Sequence, residues 1–269
     1  MSPRTRIGQQ QLEELGSSLT LLDRELVQDV ARFRLMSARH LQRLYYGDAA
    51  SDDRRCRRRL NQLVEHGVLG RLPRRVGGRG RGSDSTVYRV GRAGKRLLQT
   101  SGGAGPAWQP SAAFAAHTLG IVDIYVDLIE QDRGGRIEAI DLTPEPEAWR
   151  TFGWQMKPVT LKPDAFAIVR VGGVEHHYFI ELDLGTESLT VIENKIGRYV
   201  DYYQSGPDLI VFPQVLFPVD SKASYHSVAT ADRVVQIHAV ATKTLPASLG
   251  QLVTVAAKNH PPWIRTAAT

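Results

Sequence analysis

The stretch Leu161–Tyr203, LKPDAFAIVRVGGVEHHYFIELDLGTESLTVIENKIGRYVDYY, constrains the fold more than any other part of the chain. Ala165–Val171 alternates apolar residues with period two, and Gly172-Gly173 is a hairpin signal. The returning strand carries Tyr178, Ile180, Leu182 and Leu184 on one side and Phe179, Glu181 and Asp183 on the other. An amphipathic helix follows. The pattern therefore predicts strand, tight turn, strand, acidic loop and helix.

That order gathers chemistry-bearing residues. Asp164 stands just before the first strand, and Glu181 and Asp183 share a face about 7 Å apart at two residues' rise. Mg²⁺ or Mn²⁺ is held by one or two carboxylates together with waters and substrate phosphate, so Asp164, Glu181 and Asp183 are the candidate metal ligands. The metal would polarise a scissile phosphate and activate water. On the helix, Thr190 and Glu193 are spaced as a capping box, and Lys195, Tyr199 and Tyr202 line one face with Arg198 beside them. Lys195 is placed to stabilise a pentavalent phosphate, and Tyr199, Tyr202 or Tyr203 offers a phenol nucleophile. Asp164, Glu181, Asp183, Lys195 and Tyr199 are the candidate catalytic set. A plainer reading exists: an isolated Glu-x-Asp is usually the polar face of a half-exposed strand, and Ile192, Ile196, Tyr199 and Tyr203 make an ordinary packing stripe. The preceding Asp164 and the basic, tyrosine-rich helix weigh against it.

The first third of the chain has a different character. Residues 1–100 hold 21 Lys/Arg against 10 Asp/Glu, whereas the remainder holds 13 against 18. A basic region joined to an acidic one points to a polyanion for the first and a cation for the second. From Leu21, the residues Leu22, Leu26, Val30 and Phe33 recur at helical spacing, with Val27 and Ala31 widening the stripe. Ser37 reads as the N-cap of a short helix to Tyr46, and Ser51 as the cap of a third helix ending near His66 with Gly67 beyond it.

In that third helix Cys56, Leu60, Leu63 and Val64 form the apolar stripe. Arg54, Arg55, Arg58, Asn61 and Gln62 fall mainly on the other side, in a run where five of six consecutive residues are arginines. Guanidinium forks match guanine edges and phosphates, and Asn or Gln can pair an adenine edge. These are the candidate DNA-binding residues, weighed above a merely solvated charged face. Val68–Arg75 and Thr86–Val90 then read as a hairpin whose Gly-rich tip carries Arg79 and Arg81, suited to backbone or minor-groove contact. Residues 20–99 thus have the layout of a winged helix-turn-helix.

Length favours two domains. The expected division is a flexible arm over 1–19 with a helical turn near Gln9–Leu15, the DNA-binding domain over 20–99, a Gly/Pro-rich linker over 100–110, and a second domain over 111–269. The second opens with an amphipathic helix to about Gln131, followed by a strand at Arg136–Leu142. It closes with a strand at Leu209–Pro218, a helix at Ser221–Thr230 and a strand at Arg233–Ala241. Thr143–Lys157 and the tail from Thr242 show no readable motif, beyond Trp263 as a docking residue. The single cysteine, Cys56, excludes an intrachain disulfide and fits a reducing cytoplasm. No apolar run nears a membrane span's length, so no membrane partner is expected. Dispersed histidines speak against zinc.

The segments PDA, FIELDLGTES and KIGRYVDYY, following a basic winged helix and the helix AHTLGIV, resemble the replication-relaxation family of plasmids and integrative elements. They also resemble the wider PD-(D/E)xK nuclease superfamily. The resemblance implies an α+β chain, a winged helix-turn-helix followed by an α/β restriction-endonuclease-like domain. By that resemblance Asp164 is the first acid and Glu181 the second. Asp183 stands where the superfamily has its lysine, which Lys195 or Lys162 would have to replace.

Two functions follow as expectations. One is a DNA-binding protein of a mobile element, acting in plasmid replication, DNA relaxation or mobilisation and nicking or cleaving duplex DNA with Mg²⁺ or Mn²⁺. The other is a non-catalytic, sequence-specific DNA-binding protein, a replication accessory factor or transcription regulator, with a degenerate nuclease-like domain. A homodimer and replication or mobilisation proteins are the expected protein partners. A small-molecule sensor is weaker, because no phosphate-binding Gly-rich loop stands between a strand and a helix.

Overall fold

The computed structural model describes residues 8–47, 49–73, 86–99, 109–153, 158–207, 211–220 and 229–258. The chain is a mixed α+β protein that divides into two compact units, Met1–Val126 and Asp127–Thr269.

In the first unit the helices α1 (Gln9–Ser18), α2 (Leu21–Phe33), α3 (Ala38–Tyr45), α4 (Ala50–Glu65) and α5 (Arg92–Leu97) surround a small sheet. That sheet joins β1 (Met36–Ser37), β2 (Leu69–Arg71) and β3 (Val87–Val90) in the order β1-β3-β2, all antiparallel. Each helix forms because its apolar positions repeat at helical spacing. Leu26, Val27, Val30 and Phe33 of α2, Leu41 and Leu44 of α3, and Cys56, Leu60 and Leu63 of α4 close on one core. Ser37 caps α3 by accepting from the His40 amide at 3.1 Å. Gly67 ends α4 at φ +69°, a conformation that strains any residue with a Cβ.

Three expectations change here. Gln9–Ser18, expected as one helical turn of a flexible arm, is a ten-residue helix. Its Leu12 is buried, and a Cβ added at Gly16 would lie 3.0 Å from Leu97 of α5. The cap of α4 is Ala49, not Ser51. The acids Asp52 and Asp53 in the first turn meet the positive end of the helix dipole instead. Strand β1 has no alternating signature in two residues, yet its pairing of Met36 with Tyr88 completes the sheet. Residues 74–85, with Arg79 and Arg81, and most of the expected linker lie outside the described residues.

Helix α6 (Ala112–Arg133) runs across the division between the units. The sequence predicts no span-length apolar run, but α6 is long and apolar enough to cross a membrane by length and composition alone. Its Ile121, Val122, Ile124, Val126 and Leu128 are buried in protein.

The second unit is built on a five-stranded sheet in the order β10-β9-β8-β7-β4. Its strands are β4 (Ala139–Pro144), β7 (Ala165–Val171), β8 (Val174–Ile180), β9 (Gln214–Val219) and β10 (Val253–Ala257). Strand β7 pairs antiparallel with both β4 and β8, whereas β8, β9 and β10 run parallel, linked by α7 (Leu189–Gln204) and α8 (Thr230–Thr244). The hairpin turn has Gly172 at φ +55° and Gly173 at φ +77°, the pair of positive values a tight two-residue turn requires. Ile192, Ile196, Tyr199 and Tyr202 of α7 and Ile237 and Ala241 of α8 share a core with Phe179, Val215, Phe217 and Val219. Both helices therefore cover the sheet face to which Phe179 points.

Arg233–Ala241, expected as a strand, lies in α8. Its β-branched Val234 and Val235 suggest a strand, but Arg233, Ile237 and Ala241 are the buried positions, one turn apart. The tail expected to be featureless supplies β10, paired along its length with β9. The unplaced excursion forms β5 (Arg150–Phe152), which pairs with β6 (Val159–Leu161). The α7 cap is Ser188, accepting from the Val191 amide at 3.3 Å, two residues before the expected Thr190. Residues 221–228 and Trp263 lie outside the described residues.

Candidate functional site

Each unit carries its own candidate site. In the first, helical periodicity divides the arginine run of α4 into three kinds. Arg59 turns inward and donates to Asp23 of α2, with Nε at 2.7 Å from Oδ1. Asp23 is also the N3 residue of the α2 capping box, in which the Thr20 amide donates to it at 2.8 Å. Burial opposes the Asp23 charge, but Arg59 and Thr20 outweigh it and hold the carboxyl below its usual range. Arg55 and Arg57 fold back along the helix to Asp52 at 3.0 Å and Asp53 at 2.8 Å. Arg54 and Arg58 are exposed, one turn apart, and make no hydrogen bond or ion pair with any described residue. Gln62 Oε1 accepts from Arg59 at 3.0 Å, and Asn61 Oδ1 accepts from Arg71 of β2. Sequence reasoning missed Arg71, because its contact depends on β2 folding back along α4 after the turn at Gly67.

In the second unit Glu181 follows β8 directly and points into the layer beneath α7, where its side chain is 3% exposed. Tyr199 donates to Glu181 Oε1 at 2.6 Å, and Lys195 Nζ lies 3.1 Å from Oε2. The same ammonium lies 2.9 Å from Oε2 of Glu187. Lys195 thus bridges two carboxylates, one buried and one half-exposed. Asp164 extends the ladder between β7 and β8. Its amide donates to the Ile180 carbonyl at 3.0 Å, and its Oδ2 accepts from the Leu182 amide at 2.8 Å.

Burial, then the charge of Asp164, pushes the Glu181 carboxyl up to about 7 against the pull of Lys195. Burial disfavours the Lys195 charge, but Glu181, Asp164 and Glu187 together raise its pKa. Burial and the Glu181 charge raise the Tyr199 phenol well above its usual value, which makes it a donor to Glu181. Asp164, Glu181, Lys195 and Tyr199 thus act on one another.

Asp183 is held apart from them. Arg233 of α8 grips it with two hydrogen bonds, Nε to Oδ2 at 2.8 Å and Nη2 to Oδ1 at 2.9 Å, and Nη2 also donates to the Glu187 carbonyl at 2.7 Å. The sequence offered no signal for this pair, because Arg233 is 50 residues away in a segment that reads as a strand. Among the described residues, no three His, Cys, Asp or Glu side chains are grouped to hold a metal ion. A three-carboxylate set of Asp164, Glu181 and Asp183 does not fit this arrangement. Asp164 and Glu181 remain as carboxylates a cation could use with water and phosphate. Lys162, the other candidate replacement lysine, stands over the Trp149 ring at 4.5 Å. Tyr202 is buried, and Tyr203 is exposed.

No curated protein and no solved structure matches the chain. The replication-relaxation family model matches residues 27–215, from within α2 to the start of β9 and more than two-thirds of the chain. Both candidate sites fall inside that span apart from Arg233 and Asp23, and the chain belongs to the replication-relaxation family.

Proposed function

We propose that this chain is a DNA-binding protein acting in plasmid or mobile-element replication or relaxation, with α4 lying against duplex DNA. The observation that carries this reading is the exposed pair Arg54 and Arg58, whose guanidinium groups have no partner among the described residues. The order α2, β1, α3, α4, β2, β3 supports it, being that of a winged helix-turn-helix, whose third helix enters the major groove. Arg79 and Arg81, which fall between β2 and β3 in the sequence, add phosphate or minor-groove contacts in this reading. Phosphate contacts release counterions, so affinity falls steeply with salt. Fluorescence anisotropy of labelled duplex DNA with the full chain at rising salt tests the reading. Binding that ignores salt, or no binding, overturns it.

A second reading, metal-dependent nicking, is favoured by Lys195 standing 3.1 Å from Glu181. It supplies beside the second acid the ammonium that position 183 lacks. The order α6, β4, β7, β8, α7, β9 agrees with a PD-(D/E)xK core. Mg²⁺ or Mn²⁺, when bound, supplies Lewis-acid polarisation of the phosphate, and Asp164 and Glu181 are the residues that would hold it. In this reading Lys195 holds a phosphate oxygen, and Tyr199 positions Glu181. Supercoiled plasmid incubated with the chain and Mg²⁺ or Mn²⁺ tests it. Nicking that persists in both Glu181→Gln and Lys195→Ala sinks this site, and intact binding without nicking selects the non-catalytic role.

A further inference from the structure

The five-stranded sheet of the second unit ends differently at its two edges, and the difference marks an interaction surface. Strand β4, at one edge, carries the exposed carboxylate of Asp141 and stops at Pro144. A charge and a proline are devices that keep another chain from pairing with an edge strand. Strand β10, at the other edge, is Val-Thr-Val-Ala-Ala, with three β-branched residues and neither device. Among the described residues no strand pairs with its outer side. All of Val253–Ala257 keep partial contact with solvent.

The ladder with β9 fixes which backbone groups face outward. The Val215 amide donates to the Leu252 carbonyl at 2.8 Å, and the Lys258 amide donates to the Val219 carbonyl at 2.9 Å. Along a strand the backbone groups of successive residues turn to alternate sides. Thr254 and Ala256 therefore face β9, as Leu252 and Lys258 do. Val253, Val255 and Ala257 direct their N–H and C=O groups away from it. These outward donors and acceptors form a row symmetrical about Val255.

Such a row is complementary to itself. A two-fold axis normal to the sheet sets a second β10 antiparallel to the first, with Val255 opposite its own copy and Val253 opposite Ala257. In that pattern each opposed pair exchanges both N–H···O bonds, so every outward group of the row finds a partner. No like charges meet. The next charge along the chain, Lys258, is held by Asp220 at 3.0 Å and falls opposite Leu252 of the other copy. A second copy brings an edge of matching length and register by identity, and two-fold contacts of this kind are the commonest in homo-oligomers.

We propose that β10 is a docking edge for a second copy of this chain, joining the two sheets by antiparallel pairing centred on Val255. A strand this short buries less than the roughly 1,200–2,000 Å² of a standard interface, so the dimer is reversible and forms in the micromolar range.

Sedimentation velocity of the full chain without DNA, from about 2 to 200 µM, tests the proposal. The expected result is a shift from monomer to dimer across that range. Amide hydrogen exchange read residue by residue then locates the contact. Val253, Val255 and Ala257 should exchange at least threefold more slowly at the highest concentration than at the lowest, and Thr254 and Ala256 equally at both. Ala257→Pro removes an outward N–H and leaves the β9 ladder intact, a place where an edge strand tolerates proline. It should weaken the dimer at least tenfold with unchanged thermal melting. A chain that stays monomeric throughout overturns the proposal, as does a dimer equally tight in Ala257→Pro. A dimer whose outward amides exchange alike at both concentrations overturns this edge as the contact. Slow exchange of those amides at every concentration means that the chain covers the edge itself, which overturns the second copy as its occupant.

Discussion

The two units use the same residue types in opposite ways. On α4, Arg54 and Arg58 hold their charges in solvent with no described partner, and the neighbouring Arg55 and Arg57 are neutralised locally. Under α7 and α8, Glu181 and Asp183 are buried, and each is answered by a cation from a helix, Lys195 or Arg233. Exposed charge costs the fold little and stays available to a ligand. Buried charge must be paired, and a paired group is committed to the fold before any ligand arrives. The difference separates a face whose charges stay available from a centre whose charges are already paired within the fold.

The largest expected effect breaks the internal side of this comparison. Arg233→Met leaves Asp183, whose side chain is 1% exposed, without its guanidinium. Losing one member of a buried pair costs about 3–5 kcal/mol. Urea unfolding should show that loss, and the Asp183→Asn/Arg233→Met double variant should recover most of it. A double variant no better than the single would mean that the pair is not the unit of stability.

Tyr199→Phe is the next in size. It removes the 2.6 Å donor to a buried carboxylate, at about 1–3 kcal/mol. If the same variant also leaves any nicking activity intact, Tyr199 holds Glu181 only for the fold.

A smaller effect separates the units by pH. Glu181 has its folded pKa raised to about 7 from 4.5, so the unfolded chain gives up this proton first. Its contribution is complete below about pH 4.5 and is lost as pH rises to about 7. Asp23 in the first unit is lowered, so its contribution is present above its ordinary value of 3.8 and fades only on acidification below it. In EDTA, Glu181→Gln should flatten the decline in stability between pH 4.5 and 7. A decline of unchanged slope would place the titrating group elsewhere.

Periodicity made much of this legible. The stripes of α2, α3 and α4 and the β7–β8 hairpin followed from spacing, because each is a local pattern with one apolar face. The strand reading of Arg233–Ala241 failed because Val234 and Val235 favour strands locally, while the burial of Arg233 and Ile237 is set by strands far away in sequence. For the same reason the acidic centre was half legible. Glu181, Lys195 and Tyr199 lie within one hairpin–helix segment, so their meeting could be foreseen. The capture of Asp183 depended on a helix 50 residues later. On α4 the sequence showed a cluster of arginines but not their division, which depends on Asp23, Asp52 and Asp53 reaching particular members of the run.

The central claim is that unpaired arginines of α4, rather than its charge as such, contact DNA. Two double variants of the full chain, Arg54→Ala/Arg58→Ala and Arg55→Ala/Arg57→Ala, remove the same charge from the same helix. Both remove exposed side chains, so stability should stay within about 0.5 kcal/mol of the parent for the first. Measured against one duplex at one salt concentration, the first pair should lose binding about a hundredfold, at ~1–3 kcal/mol per guanine-edge contact, and the second less than tenfold. Equal losses would contradict the account, reducing α4 to a diffuse positive surface.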